Sequence, residues 1–210
     1  MKTLALTLSV LFHPLLMCTY GCLLLFFGIH NTVYDYLTAF ETKWRISLIV
    51  FIFSFLFPLT NIFILYRLKR IPSITLSERA DRTFPYLMTA VFYFGLFYLM
   101  LDVNIWRVIK LSVAGAGLAI LLTAFINLKF KISAHMVGIG GLLGLLISVS
   151  QLIKFDMTPF YMAVIILAGL LGFARMRLDE HSPRQVYLGF CLGLFVQAGL
   201  FFALQKMIFI

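Results

Sequence analysis

Long apolar runs alternate with short polar islands along the whole of this chain. Seven runs stand out: Leu4–Gly28, Ile46–Tyr66, Pro85–Leu101, Val108–Ile126, Met136–Ile153, Pro159–Ala174 and Val186–Leu204. About 20 apolar residues cross the hydrocarbon core of a bilayer as a helix. The third and sixth runs are short, and reach across only with less tilt or with length taken from their flanks. The pattern predicts an all-α fold, a polytopic transmembrane helical bundle of six or seven spans. It forms one integral membrane domain over residues 1–210. Met1-Lys2 ahead of an apolar stretch has the outline of a signal peptide. The stretch is long for one and ends without a small-x-small site, so a retained first span is expected.

The count of runs puts three loops on one side of the membrane: Arg67–Phe84, Asn127–His135 and Arg175–Gln185. Two of them hold polar islands with a histidine beside fixed positive charge. One island is Lys131-Ile-Ser133-Ala-His135, the other Arg175-Met-Arg177-Leu-Asp-Glu-His181. The runs after them carry Gly140 and Gly144, and Gly189 and Gly193, two small-xxx-small pairs that allow close helix contact in lipid. Tight packing of these two runs would bring the islands together. Frequent glycine is also an ordinary property of membrane helices, and the pattern leaves both readings open. Ala39–Arg45, with Trp44, and the pair Trp106-Arg107 read as interfacial anchors.

Composition agrees with a membrane protein. Of 210 residues, 62% are hydrophobic and only 12% charged, against about a quarter charged in soluble domains; mean hydropathy is +1.03. The net charge of +9 sits in short loops between apolar runs. This fits anionic lipid headgroups better than nucleic acid, and no nucleic-acid partner is expected. Cys18, Cys22 and Cys191 lie inside apolar runs, at spacings that fit neither a zinc site nor a disulfide framework.

The three loops hold Arg79, Arg82, Lys131, His135, Arg175, Arg177 and His181, with Glu78, Asp81, Asp179 and Glu180 as the nearby acids. No H-x-x-x-H or D-x-D pattern marks a metal site, and no metal or cofactor is expected. Cations without a carboxylate pair suit a phosphate, with the two histidines as nucleophile and general acid. Asp179 and Glu180 read as solvated loop charges. His13 and His30 match no pattern and receive no role.

Order and spacing resemble the type 2 phosphatidic acid phosphatase superfamily of membrane lipid phosphatases, whose motifs are KxxxxxxRP, PSGH and SRxxxxxHxxxD. Ile132-Ser133-Ala134-His135 resembles the second motif. Ala174-Arg175, five residues and then His181 resemble the third, with Ala for Ser. His181-Ser-Pro-Arg-Gln185-Val-Tyr-Leu-Gly189 resembles its continuation, with Gln for Asp. Glu78-Arg79-Ala-Asp-Arg82-Thr-Phe-Pro85 keeps Arg and Pro of the first motif but not its spacing. The resemblance runs from about residue 78 to residue 210.

The resemblance implies a metal-independent phosphatase acting on a lipid phosphate or diphosphate. His181 attacks phosphorus and His135 protonates the leaving oxygen. Arg175, Lys131, Ser133 and Arg79 or Arg82 hold the equatorial oxygens. Gln185 stands where the family's Asp orients the nucleophile. It can fix the tautomer but offers no charge, and the comparable Asp-to-Asn change in a serine protease costs about 10⁴ in rate. Ser182-Pro183-Arg184-Gln185 also fits a helix capping box. The membrane partner implied is a lipid substrate, such as phosphatidic acid, phosphatidylglycerol phosphate or a polyprenyl diphosphate. A bacterial inner membrane is the expected location, with the side of the site open. The alternative is a catalytically degenerate member that binds or moves anionic lipids. A transporter has less support, because the spans carry almost no ionisable groups at mid-membrane.

Overall fold

Prolines decide where the first two spans bend. In the N-terminal span, α1 (Lys2–Leu11) stops before Pro14. The chain then passes through a 3-10 turn (Pro14–Leu16) into α2 (Met17–Leu23) and closes with a π turn (Leu24–Gly28). Pro14 has no N–H to donate and its ring crowds the preceding turn. His13 caps the new turn, its Nδ1 accepting from the Leu15 N–H at 3.3 Å. After the short α3 (Val33–Leu37), α4 (Phe40–Phe51) and α5 (Phe57–Arg67) continue one another through a π turn (Ile52–Leu56). The wider turn lies just before Pro58, which cannot make its α-helical hydrogen bond. The remaining helices are uninterrupted: α6 (Thr83–Leu99), α7 (Arg107–Asn127), α8 (Ala134–Ser150), α9 (Thr158–Arg177) and α10 (Pro183–Ile208).

This computed structural model describes residues 2–29, 32–153 and 155–208, and among them every element is helical. His30 lies outside the described residues. Among the described residues, five helical segments are long and apolar enough to cross a membrane: Lys2–Gly28, Phe40–Arg67, Arg107–Asn127, Thr158–Arg177 and Pro183–Leu204. At 17 residues each, α6 and α8 span roughly 26 Å, slightly less than a hydrocarbon core.

Ala39–Arg45 covers the N-cap and first turns of α4, which begins at Phe40, with Trp44 exposed. Lys43 turns inward to an ion pair with Asp35 and is buried. One anchor assignment changes: Trp106 packs into the core instead of lying at an edge. Cys22 is buried, whereas Cys191 is exposed, on a face where lipid would pack.

The bundle is built from close pairs, α8 with α10, α6 with α7, and α1 with α9, and α2 fits against α4, α7 and α8. The α8–α10 pair decides the open glycine question. A Cβ at Gly193 would lie 1.9 Å from the Val137 carbonyl oxygen, and one at Gly140 would lie 2.2 Å from that of Phe190. Backbone meets backbone here, so the glycines are a packing requirement. Phe63, Ile166, Phe195 and Phe202 point outward, as lipid-facing side chains do.

Candidate active site

The short turn between α9 and α10 builds one wall of the site. α9 ends in a Schellman closure. Asp179 N–H donates to the Met176 carbonyl and Glu180 N–H to that of Arg175, and Asp179 adopts φ 57°. Such closures need a left-handed residue, which Asp tolerates better than most side chains. The reversal folds Glu180 back over Arg175, and α10 begins at once with Pro183.

Gln185 makes two contacts with one oxygen. Its Oε1 accepts from the Ser182 backbone N–H at 3.2 Å, one half of a capping box, and lies 3.0 Å from His181 Nδ1. A backbone N–H can only donate, so the shared oxygen is an acceptor. His181 Nδ1 must then carry the proton, which leaves a lone pair on Nε2. His181 is only 7% exposed. Burial lowers its pKa to about 3 against the upward effect of the Gln185 bond, with smaller lowering by Arg82, Arg175 and Lys131.

Two guanidinium groups converge beside it. Arg175, in the last turn of α9 and 9% exposed, donates from Nη1 to Ser9 Oγ at 3.3 Å. Its Nη2 lies 3.6 Å from Glu180 Oε2, while its buried Nε has no hydrogen-bond partner. Arg82, buried just before α6, donates from Nε to the Leu76 carbonyl and from Nη2 to that of Ser77 at 3.2 Å. The same Nη2 lies 3.8 Å from Glu180 Oε2. Lys131 stands within electrostatic reach of Arg82, Arg175, Glu180 and Glu78. Burial and Arg82 lower its pKa.

The other expected residues divide. His135, in the first turn of α8, places Nε2 3.1 Å from the Ser9 carbonyl oxygen. That oxygen only accepts, so His135 donates through Nε2. Ser133 is fully buried ahead of α8. Its N–H donates to the Gln185 carbonyl at 3.4 Å, tying the two polar islands together, and its Oγ has no hydrogen-bond partner. Arg79 faces elsewhere. Its guanidinium donates to the Asn127 and Leu128 carbonyls at the end of α7, and Asn127 Nδ2 returns a bond to the Arg79 carbonyl at 2.8 Å.

A cavity of about 190 Å³ gathers Arg82, His135, Arg175 and His181 along its wall, and continues between the helices to Gln197 on α10. Among the described residues no three His, Cys, Asp or Glu side chains gather as a metal-binding group.

Glu180, His13 and Ser9 are the site residues that the sequence did not reveal. Glu180 is no free loop charge, since both arginines face it. His13 and Ser9 come from the N-terminal span, far from either island in sequence. The His13-Pro14 break was the one visible sign that this helix stops where a cap is needed. Comparison with family models, curated proteins and solved structures gives no match for this chain.

Proposed function

We propose that this protein is a membrane phosphatase that hydrolyses a lipid phosphate or diphosphate through a phosphohistidine, without a metal ion. The observation that carries this reading is the Gln185 oxygen shared by Ser182 N–H and His181 Nδ1. It leaves His181 Nε2 with its lone pair, beside Arg82 and beside Arg175, whose buried Nε has no hydrogen-bond partner among the described residues. A nucleophilic nitrogen next to two guanidinium groups suits attack on a phosphoryl group.

In the proposed reaction Nε2 forms a bond to phosphorus, and the bond to the ester oxygen breaks with its electron pair on that oxygen. As an imidazolium, with Nε2–H on the Ser9 carbonyl, His135 gives its Nδ1 proton to the leaving oxygen and becomes neutral. Water then attacks phosphorus, loses a proton to His135 and breaks the P–N bond, releasing phosphate. Arg175, Arg82 and Lys131 offset charge on the equatorial oxygens. The Glu180 carboxylate stands where such an anion would lie, and turns aside when substrate enters. Arg79 is left as a structural clamp. The bundle would cross the membrane six or seven times, counting α6 and α8, in a bacterial inner membrane. Acyl or prenyl chains would lie against the outward-facing apolar helices.

One observation favours the second reading, a non-catalytic binder of anionic lipids. Gln185 gives His181 a neutral partner, so the imidazolium formed during transfer lacks a counter-charge. Phosphate release by the purified protein, in chelator, separates the two. The panel is phosphatidic acid, phosphatidylglycerol phosphate and undecaprenyl diphosphate, with His181→Ala beside the native chain. Release that vanishes in His181→Ala supports the enzyme; no release on any lipid from folded protein supports the binder.

A further inference from the structure

His13 belongs to the N-terminal span, yet it lines the same cavity as Arg82, His135, Arg175 and His181. Its ring meets that of His135 edge to face, with centroids 5.7 Å apart, and it lies within electrostatic reach of Arg175. The backbone dictates its tautomer. Leu15 N–H donates to His13 Nδ1 at 3.3 Å, so Nδ1 holds the lone pair and a neutral ring carries its proton on Nε2. Among the described residues, no hydrogen-bond partner meets that nitrogen.

The same segment holds the two neighbours in place. Ser9, one turn earlier, accepts from Arg175 through its hydroxyl and lies against His135 Nε2 through its carbonyl. The N-terminal span is therefore part of the wall that faces the arginines.

We infer that His13 is an anion-binding residue of this site, donating its Nε2–H to the phosphoryl oxygens held by Arg175. This rests on the phosphate reading of the site. A neutral donor fixed by its own cap adds a hydrogen bond without adding another positive charge to a crowded cationic cluster. Hydrogen bonds to charged groups are the stronger class, so its loss should weaken anion binding by roughly tenfold or more.

The variant that isolates this role is His13→Asn. Asn is a strong N-cap, so the turn at Pro14 keeps its acceptor while the ring donor is removed. The full chain, labelled with ¹⁵N-histidine in detergent, would be titrated with inorganic phosphate. The expected result is that the His13 Nε2 and His181 resonances shift along one binding curve, and that His13→Asn binds phosphate about tenfold more weakly. Movement of His181 alone, with native affinity in His13→Asn, would remove His13 from the site and leave the phosphate reading standing. Movement of neither resonance, in protein shown to be folded, would overturn both.

Discussion

His181 Nδ1 and Gln185 Oε1 lie 3.0 Å apart, and the same oxygen also closes the first turn of α10 through the Ser182 N–H. One side chain thus sets the tautomer of the candidate nucleophile and the start of the helix that carries its neighbours. Gln185→Glu should keep the cap, since Glu and Gln both serve at this position, and should add the missing charge. The expected outcome is a higher His181 pKa and faster phosphate release, read by NMR titration and phosphate assay. Gln185→Leu should lose both contacts, slow release and cost about 1 kcal/mol of stability as a lost cap.

The His181 ring also predicts how stability follows pH. Its folded pKa is lowered from 6.5 to about 3. Between those values the unfolded chain takes up a proton that the folded chain refuses, so stability falls as pH falls. Above pH 6.5 this contribution is fully present. Melting temperatures of the native protein should drop more steeply between pH 6.5 and 4 than those of His181→Asn. Parallel slopes would mean that the ring is protonated freely in the folded state.

The α8–α10 contact should be intolerant of added volume at specific glycines. Gly193→Ala puts a methyl group against the Val137 carbonyl, where backbone must move, and should cost at least the 1–3 kcal/mol typical of overpacking. Gly169→Ala, with nothing within 4 Å of its Cβ, should be neutral or slightly stabilising by helix propensity. Thermal unfolding in detergent checks both. The Gly193 change should also disturb the site, because it separates Ser133 from Gln185.

Arg79 and Arg175 should part company on mutation. Arg79→Ala removes bonds to the end of α7 and should lower stability while leaving phosphate affinity near native. Arg175→Ala removes the guanidinium that faces Ser9 and Glu180, and should reduce phosphate binding by at least an order of magnitude. Titration with inorganic phosphate reads the difference.

Glu180→Gln tests the carboxylate that both arginines face. Removing its charge should strengthen phosphate binding, because the anion no longer competes with an internal one. An unchanged or weakened affinity would show that Glu180 organises the arginines instead.

The all-helical, apolar character, the approximate helix ranges and the Gln185–Ser182 contact at the start of α10 were legible in the chain, whereas the pairing of the two histidine islands was left open by it. The legible features depend on local periodicity, on proline chemistry and on contacts a few residues apart. Which arginine faces the cavity depends on packing between distant parts of the chain. Arg79 and Arg82 are three residues apart with the same charge, and what separates them is the end of α7, whose bare carbonyls take the Arg79 guanidinium. Such packing also decided that Ser9 and His13 join the site, because α1 packs on α9 and stops at Pro14 level with Arg175. Long-range packing of that kind leaves no periodic trace in the chain, since it depends on where helices end in space and not on the residues between them.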